Sequence, residues 1–496
     1  MKKKAEIIGH ITLWVIFLLL WGTRLEAEEN MKKPSSYSET AELSETDKKK
    51  EEAWLLWKLE RYDEAGKLIE DLLKTNAGDK DVCQLSVMNS LHKGDIKNAK
   101  QMIAKLERMN IDKVPLWRMK LELAVLEDNK KDALEYCKKI LKETPNDQDI
   151  NLTFAVTLAD MGLWREAKKS FDEVFKNTRN NKKILREYRY YAKKYGDNIE
   201  AVGSFTQGQN SLWQYEAYEG VNYSITPRIR IRARIHHASY RQKALPGSDS
   251  LKESPAGIDV AAEFKVNEKI KVEIGYKPSF IGMKQFDEYT LGALLDQGPW
   301  VSKLEFKGNS LIVSPIDGAK KHAVQDQFTF NNNIELFKRI NVGNNLDVKW
   351  IRVPSGSNSV NNKKDLGYIF SSEPYVDVRI FDDPVISLSA SYKYAHWQRT
   401  FSDAEQVIGF FRDERAVRVG AYAEKTLFND ITVVASINRT YDTFRDVYST
   451  FSAGEIEYWY NKTIRLFFVF EYLYGDSGLN GGGSSQTARG GVVHYF

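Results

Sequence analysis

The chain has 496 residues, a formal net charge of +4 and a mean hydropathy of −0.48. Only one run is apolar enough to cross a bilayer as a helix, which excludes a helical membrane bundle but not a transmembrane barrel, whose strands alternate in polarity. The small charge excess gives no reason to expect nucleic acid, and two cysteines, Cys83 and Cys137, exclude a disulfide framework and any cysteine-based zinc or iron–sulfur site.

Lys2, Lys3 and Lys4 open the chain, an apolar stretch follows from Ile7 to Gly22, and Leu25-Glu26-Ala27 supplies a small residue at a cut. This is signal-peptide architecture over residues 1–27, with an uncleaved anchor as the alternative. Either way, the rest of the chain is expected outside the cytoplasm. Residues 28–45 are polar and charged and read as a linker.

From residue 46 to 197 the apolar pattern is helical and repeats. Ala65, Ala99, Ala133 and Ala167 are spaced by a constant 34 residues. Four and seven residues after each come Ile69 and Leu72, Ile103 and Leu106, Cys137 and Ile140, Phe171 and Val174. A small residue at this position lets two helices of a hairpin approach closely; a bulky one would splay them. The period and its packing alanines resemble the tetratricopeptide family. The resemblance implies about four repeats, a capping helix over 181–197, and a concave groove for a partner protein or peptide. A purely structural spacer is the alternative.

After Asn198 the period changes to two. Ile229, Ile231, Ala233 and Ile235 alternate with Arg228, Arg230, Arg232 and Arg234. The same alternation sets Ile258, Val260 and Phe264 against Asp259 and Glu263, and Ile270, Val272 and Ile274 against Lys271 and Glu273. Ile386, Leu388, Ala390, Tyr392 and Tyr394 oppose serines and Lys393; Ile464, Leu466, Phe468 and Phe470 oppose Arg465 and Glu471. Short turns are expected near 226–227, 267–268, 308–309, 338–339, 382–383, 429–430 and 461–462. Longer loops are expected at 241–255, 281–297, 316–323, 354–364, 399–407, 442–445 and 475–486. With a first strand at about 199–206 this makes about sixteen strands, 14 or 18 remaining open. The fold class is therefore a helical solenoid at 46–197 followed by an antiparallel transmembrane β-barrel at 198–496, whose interior would be polar and whose exterior would meet outer-membrane lipid.

Hydrocarbon does not accept rows of arginine, so the guanidinium face must line the lumen. The lumen-lining set is Arg228, Arg230, Arg232 and Arg234, with Asp259, Glu263, Lys271, Glu273 and Lys393, and with Glu455, Glu457 and Trp459. These groups read as a polar wall that binds a hydrophilic chain transiently. A ladder of ion pairs that only neutralises buried charge is the alternative, with Glu216, Asp259, Glu263, Glu273, Glu455 and Glu457 as partners. Trp459 would stack on a sugar ring or fill space. Gly481-Gly482-Gly483 lacks the strand-to-helix context of a phosphate cradle and reads as a surface loop. His236, His237, His396 and Ser239 stand at no spacing that defines a catalytic set, so no enzyme, metal or cofactor is expected.

The terminal run Arg489-Gly490-Gly491-Val492-Val493-His494-Tyr495-Phe496 resembles the signal read by barrel-assembly machinery, in Gly491 and the final Phe496, with His494 departing from the usual aromatic or aliphatic residue. The order of leader, tetratricopeptide solenoid and terminal barrel resembles the exopolysaccharide export porins, including those for poly-N-acetylglucosamine, Pel polysaccharide and cellulose. That resemblance implies polymer export across the outer membrane of a Gram-negative-type bacterium, with the solenoid in the periplasm. A non-conducting envelope adaptor and a general diffusion porin are the rival readings, and a barrel-embedded enzyme is a further one.

Overall fold

The computed structural model describes residues 44–177, 181–208, 212–242, 251–267, 269–281, 284–311, 323–337, 339–354, 363–399, 413–428, 430–444, 446–475 and 483–496. The leader and most of the linker expected from the sequence lie outside the described residues. Two compact units emerge, one helical through Tyr195 and one starting at Gly196 that runs to Phe496.

The helical unit contains, among the described residues, α1 Glu45–Lys58, α2 Tyr62–Thr75, α3 Lys80–Lys93, α4 Ile96–Arg108, α5 Lys113–Leu126, α6 Lys130–Glu143, α7 Gln148–Asp160, α8 Trp164–Asn177 and α9 Lys182–Tyr195. Asp79, Asp95, Asn129 and Asp147 start α3, α4, α6 and α7 by accepting backbone N–H bonds otherwise left open at a helix start. The four repeat alanines fall on α2, α4, α6 and α8, and each is no more than 1% exposed. Beneath them the paired helices bury Ala53 with Ile69 and Leu72, Cys83 and Val87 with Ile103 and Leu106, and Leu121 with Cys137 and Ile140. Leu121 stands where other first helices carry Ala53 or Ala155, and is accommodated with Ala124 buried beside it. The helix-pair repeats follow the sequence expectation, and α9 comes after them in the chain.

The second unit is a closed ring of sixteen antiparallel strands among the described residues. They are β1 Asn198–Gln207, β2 Leu212–Thr226, β3 Ile229–Gln242, then β4 in two pieces, Leu251–Glu253 and Ala256–Lys265. β5 Ile270–Ile281, β6 Lys284–Asp296, β7 Trp300–Leu311, β8 Val324–Leu336, β9 Ile340–Pro354 and β10 Lys363–Asp382 follow. β11 Val385–Arg399, β12 Glu414–Leu427, β13 Ile431–Asp442, β14 Val447–Trp459, β15 Ile464–Gly475 and β16 Gly483–Tyr495 complete the ring. β4 is interrupted at Pro255, which has no N–H to give the ladder. Each strand pairs with the next, and β16 pairs with β1 along its full length. At this seam Gly491 lies opposite Val202, and a Cβ on it would meet the Ala201 carbonyl at 2.7 Å and the Phe467 ring at 2.9 Å. The seam is anchored where Phe496 N donates to the Asp197 carbonyl at 3.0 Å and Ser224 N donates to the Asp197 carboxylate at 2.7 Å.

Three sequence expectations are corrected here. Residues 281–297 do not form a long loop; most of them are β6. Gly308-Asn309 is not a turn: β7 runs through it, with Asn309 at φ 58° and a register shift between Lys307 and Ser310. This is a β-bulge, which an Asn able to take a left-handed conformation permits. The true short turn in this region joins Asp296 to Trp300. Arg228 is the third correction, described below. The loops expected at 316–323, 354–364, 399–407 and 475–486 fall largely outside the described residues.

Candidate functional site

Strand alternation gives the barrel two chemically distinct faces. Ile235, Ile258, Ile274, Leu291, Val419 and Phe468 are exposed although large and apolar. Their neighbours along the chain point to the opposite side and are mostly polar. In a closed ring the half-buried polar set occupies the concave side, so the apolar set is the outer surface. Aromatic rings gather at both ends of that surface. Trp213, Tyr215, Tyr289 and Tyr448 stand near the long-loop end, and Trp300, Phe381, Tyr460 and Phe496 near the short-turn end. Phe337 and Phe428 crown two short turns, 89% and 84% exposed. Such a band between two aromatic girdles is the surface a bilayer requires.

The inward face carries rows of charge, and many of the ion pairs that neutralise them run sideways, from strand to strand. Arg232 on β3 reaches Glu273 on β5 at 3.1 Å and Asp259 on β4 at 3.5 Å. Arg234 reaches Glu200 on β1 at 2.7 Å and stacks its guanidinium over the Tyr218 ring at 4.8 Å. Lys271 pairs with Glu263 at 3.4 Å, and Lys393 with Glu414 at 2.6 Å. Arg230 donates to the Gly196 carbonyl at 2.7 Å, at the short-turn end. Glu455 faces the same side, by its register opposite Val434 and Val469.

Arg228 is not part of this wall. It lies in the turn between β2 and β3, solvent-exposed, after a register shift near Thr226. The alternation in sequence continues into the turn, while the strand does not begin until Ile229. Glu457 and Trp459 belong to the wall but present no open surface. Trp459 is 4% exposed, donates to Glu457 at 2.8 Å and stacks on Tyr495 at 5.5 Å. Arg465 holds the other Glu457 oxygen at 3.2 Å. Of the two roles weighed for Trp459 from the sequence, its burial fits the space-filling one. At the chain terminus Gly491 serves the seam, whereas His494 lies on the outer face opposite Ile199, and Phe496 is exposed beside it.

Some wall residues escape a reading based on charge. Glu200, the partner of Arg234, was not among the expected carboxylates. On β8, Gln325, Gln327, Thr329, Asn331 and Asn333 all face inward, because they alternate with the outward Phe328, Phe330 and Ile334. Gln327 donates to Asp347 on β9 at 2.7 Å, Thr329 donates to the same carboxylate at 3.2 Å, and Tyr375 donates to Asn333 at 3.2 Å. The period-two signal is present in Gln327-Phe328-Thr329-Phe330, but carries no charge to draw attention. Towards the long-loop end the same sector becomes apolar, with Ala323, Ile351, Leu366, Ile369 and Trp397 packed together. A polar recess of about 390 Å³ lies on the β2–β7 wall, lined by Tyr218, Arg234, His236, Tyr240 and Ser279 among others. There His236 Nε2 stands 3.4 Å from Ser279 Oγ.

In the helical unit, a separate hollow of about 340 Å³ opens between α1 and α3, lined by Lys50, Trp54, Gln84, Leu85 and Met88. Trp54 and Trp57 stack at 5.0 Å beside it. Among the described residues no group of histidine, cysteine and carboxylate side chains is arranged to hold a metal.

The fold is thus a chain of helix-pair repeats and a closed sixteen-strand antiparallel barrel. No family model matches the chain, and no curated protein matches it. Among solved structures it is similar to a bacterial polysaccharide outer membrane secretin, at 11% identity over 60% of this chain and 98% of that one, with a TM-score of 0.46. It is also similar to YrrB, a TPR protein with an unusual peptide-binding site, at 20% identity over 30% of this chain and 84% of that one, with a TM-score of 0.26. A thermophilic TPR protein of Thermus thermophilus is similar at 18% identity over 30% of this chain and 82% of that one, with a TM-score of 0.27.

Proposed function

We propose that the chain is an outer-membrane porin that exports an exopolysaccharide, acting as a conduit without catalysis. The observation that carries the reading is the pairing of an apolar, aromatic-girdled exterior with an inner wall of polar groups. Such a cylinder sits in lipid and offers a hydrated path. Wall groups already engaged with one another bind a passing hydroxyl weakly, which suits a polymer that must let go of each contact. The helical repeats lie in the periplasm in this reading, and the hollow between α1 and α3 takes a periplasmic protein or the polymer itself. Barrel-assembly machinery reads the terminal strand through Gly491 and the outward Phe496. Energy comes from synthesis elsewhere.

The test has two parts. The purified full chain in planar bilayers should conduct, and deletion of the gene should abolish polymer at the cell surface, without rescue by the barrel lacking residues 46–197. A silent barrel favours the adaptor reading, for which the apolar cluster around Ile351 and Trp397 near the long-loop end is the supporting feature. Conduction with normal polymer secretion in the deletion strain favours a general diffusion porin.

A further inference from the structure

The lumen wall is chemically divided around its circumference. On β3–β5 and on β11–β12 cations and carboxylates stand together in pairs. Arg418 on β12 joins this pattern, binding Glu373 at 2.9 Å, a carboxylate that also accepts from Ser391. β8 differs: its inward positions from Gln325 to Asn333 are amides and one hydroxyl, with no charge among them. At about 3.4 Å per residue, this stripe runs roughly 27 Å along the strand, comparable to the ~25 Å height of an outer-membrane apolar band. It widens onto β9, where Asn345 lies opposite Asn331, and onto β10 and β11, where Tyr375 lies opposite Ser391. Two carboxylates stand beside its middle, one on each flank: Asp347 on β9 accepts from Gln327 and Thr329 and pairs with Lys349 at 3.1 Å, and Glu305 on β7, opposite Thr329, pairs with Lys303 at 2.7 Å and Lys307 at 2.9 Å. The lumenal carboxylates Glu455 and Glu471 lie on β14 and β15, on the far side of the ring from β8.

A polyion would be held by uncompensated wall charge of the opposite sign, extended along its path. Here the charges that flank the stripe are in contact with opposite charges on the wall, Lys303 and Lys307 sharing Glu305 and Lys349 holding Asp347. Amides and hydroxyls present donors and acceptors together, so they exchange hydrogen bonds with sugar hydroxyls and N-acyl groups without favouring either sign. We infer that the β8 stripe is a guide rail for an uncharged polysaccharide, and that neither a polyuronate nor a polyamine is the cargo. The inference rests on the export-porin reading and narrows its substrate.

The experiment uses the full chain in planar bilayers. Conductance is recorded first, then block by three probes of equal length: N-acetylglucosamine oligomers, uronic acid oligomers and glucosamine oligomers. Blocked-state residence should be about ten-fold longer for the neutral probe than for either charged one, a difference of one or two well-made hydrogen bonds. Asn331→Asp with Asn345→Asp should shorten the neutral residence and lengthen that of the glucosamine oligomer, with open conductance retained. Should that double variant fail to assemble, Asn333→Ala serves, and should shorten the neutral residence alone. A charged oligomer that blocks as long as the neutral one, or a neutral residence indifferent to the substitutions, overturns the inference and leaves the porin reading standing. A barrel that never conducts overturns both.

Discussion

Glu200 and Arg234 bind each other at 2.7 Å across an intervening strand. Between them in the same row lies Gly220 on β2, opposite Glu200 on one side and Arg234 on the other. A Cβ on Gly220 would stand 2.5 Å from Arg234 Cγ and 2.9 Å from the Ala233 carbonyl. The missing side chain is what lets the guanidinium lie flat over β2.

Gly220→Val should therefore dislodge Arg234 and cost about 1–3 kcal/mol through overpacking. The readout is the temperature at which the folded, fast-migrating gel band converts to the unfolded one. An unchanged conversion temperature would mean that the row relaxes without strain.

Arg232 and Glu273, a half-buried pair at 3.1 Å, make a charge-exchange test. Arg232→Glu alone and Glu273→Arg alone should each cost about 1–2 kcal/mol, between the values for exposed and buried pairs. The double exchange should recover most of the loss. In bilayers, Arg232→Glu should also shift the reversal potential towards cation selectivity. A reversal potential unmoved by it would place the arginine row away from the conducting path.

Asp79 supplies a pH test in the helical unit. Burial pushes its carboxyl upward, but the Lys50 ammonium and the N–H groups of Val82 and Asp81 outweigh that and hold it below the usual carboxylate range. With the folded value below the unfolded one, the stabilisation is present above the unfolded value, about pH 4, and is lost as pH falls through the folded value. Helical unfolding followed at 222 nm in the full chain should steepen its acid loss below about pH 4. Asp79→Asn keeps the cap acceptor and should flatten that acid limb, while Asp79→Ala should cost about 1 kcal/mol at neutral pH. Identical acid limbs in the native chain and Asp79→Asn would show the ion pair to be without effect.

The helical repeats were readable because one residue type recurs at a fixed period in a buried position, as Ala65, Ala99, Ala133 and Ala167 do. Charged alternation likewise exposed β3, β4, β5 and β15. β6 was hidden for a physical reason. Its inward Thr290, Gly292 and Leu294 carry no charge, so next to outward Tyr289, Leu291, Ala293 and Leu295 they leave a nearly continuous weakly polar run. Asn309 misled in the other direction, since a Gly-Asn pair serves a bulge as well as a turn. Trp459 and Glu457 face inward, but what covers Trp459 is the stack on Tyr495 of β16, nearly forty residues later in the chain. Period tells which side a residue faces and not whether a neighbour has already covered it.

Because β1 has β16 as one of its two partners, the cylinder is the last thing to exist. Until the final thirteen-residue strand is delivered, β1 and β15 each keep a raw edge of unpaired peptide groups. Those edges invite pairing with other copies. A chain lacking Gly483–Tyr495 would not yield a narrower pore but a sticky ribbon, and a cell making this protein must shield the growing sheet until that segment arrives.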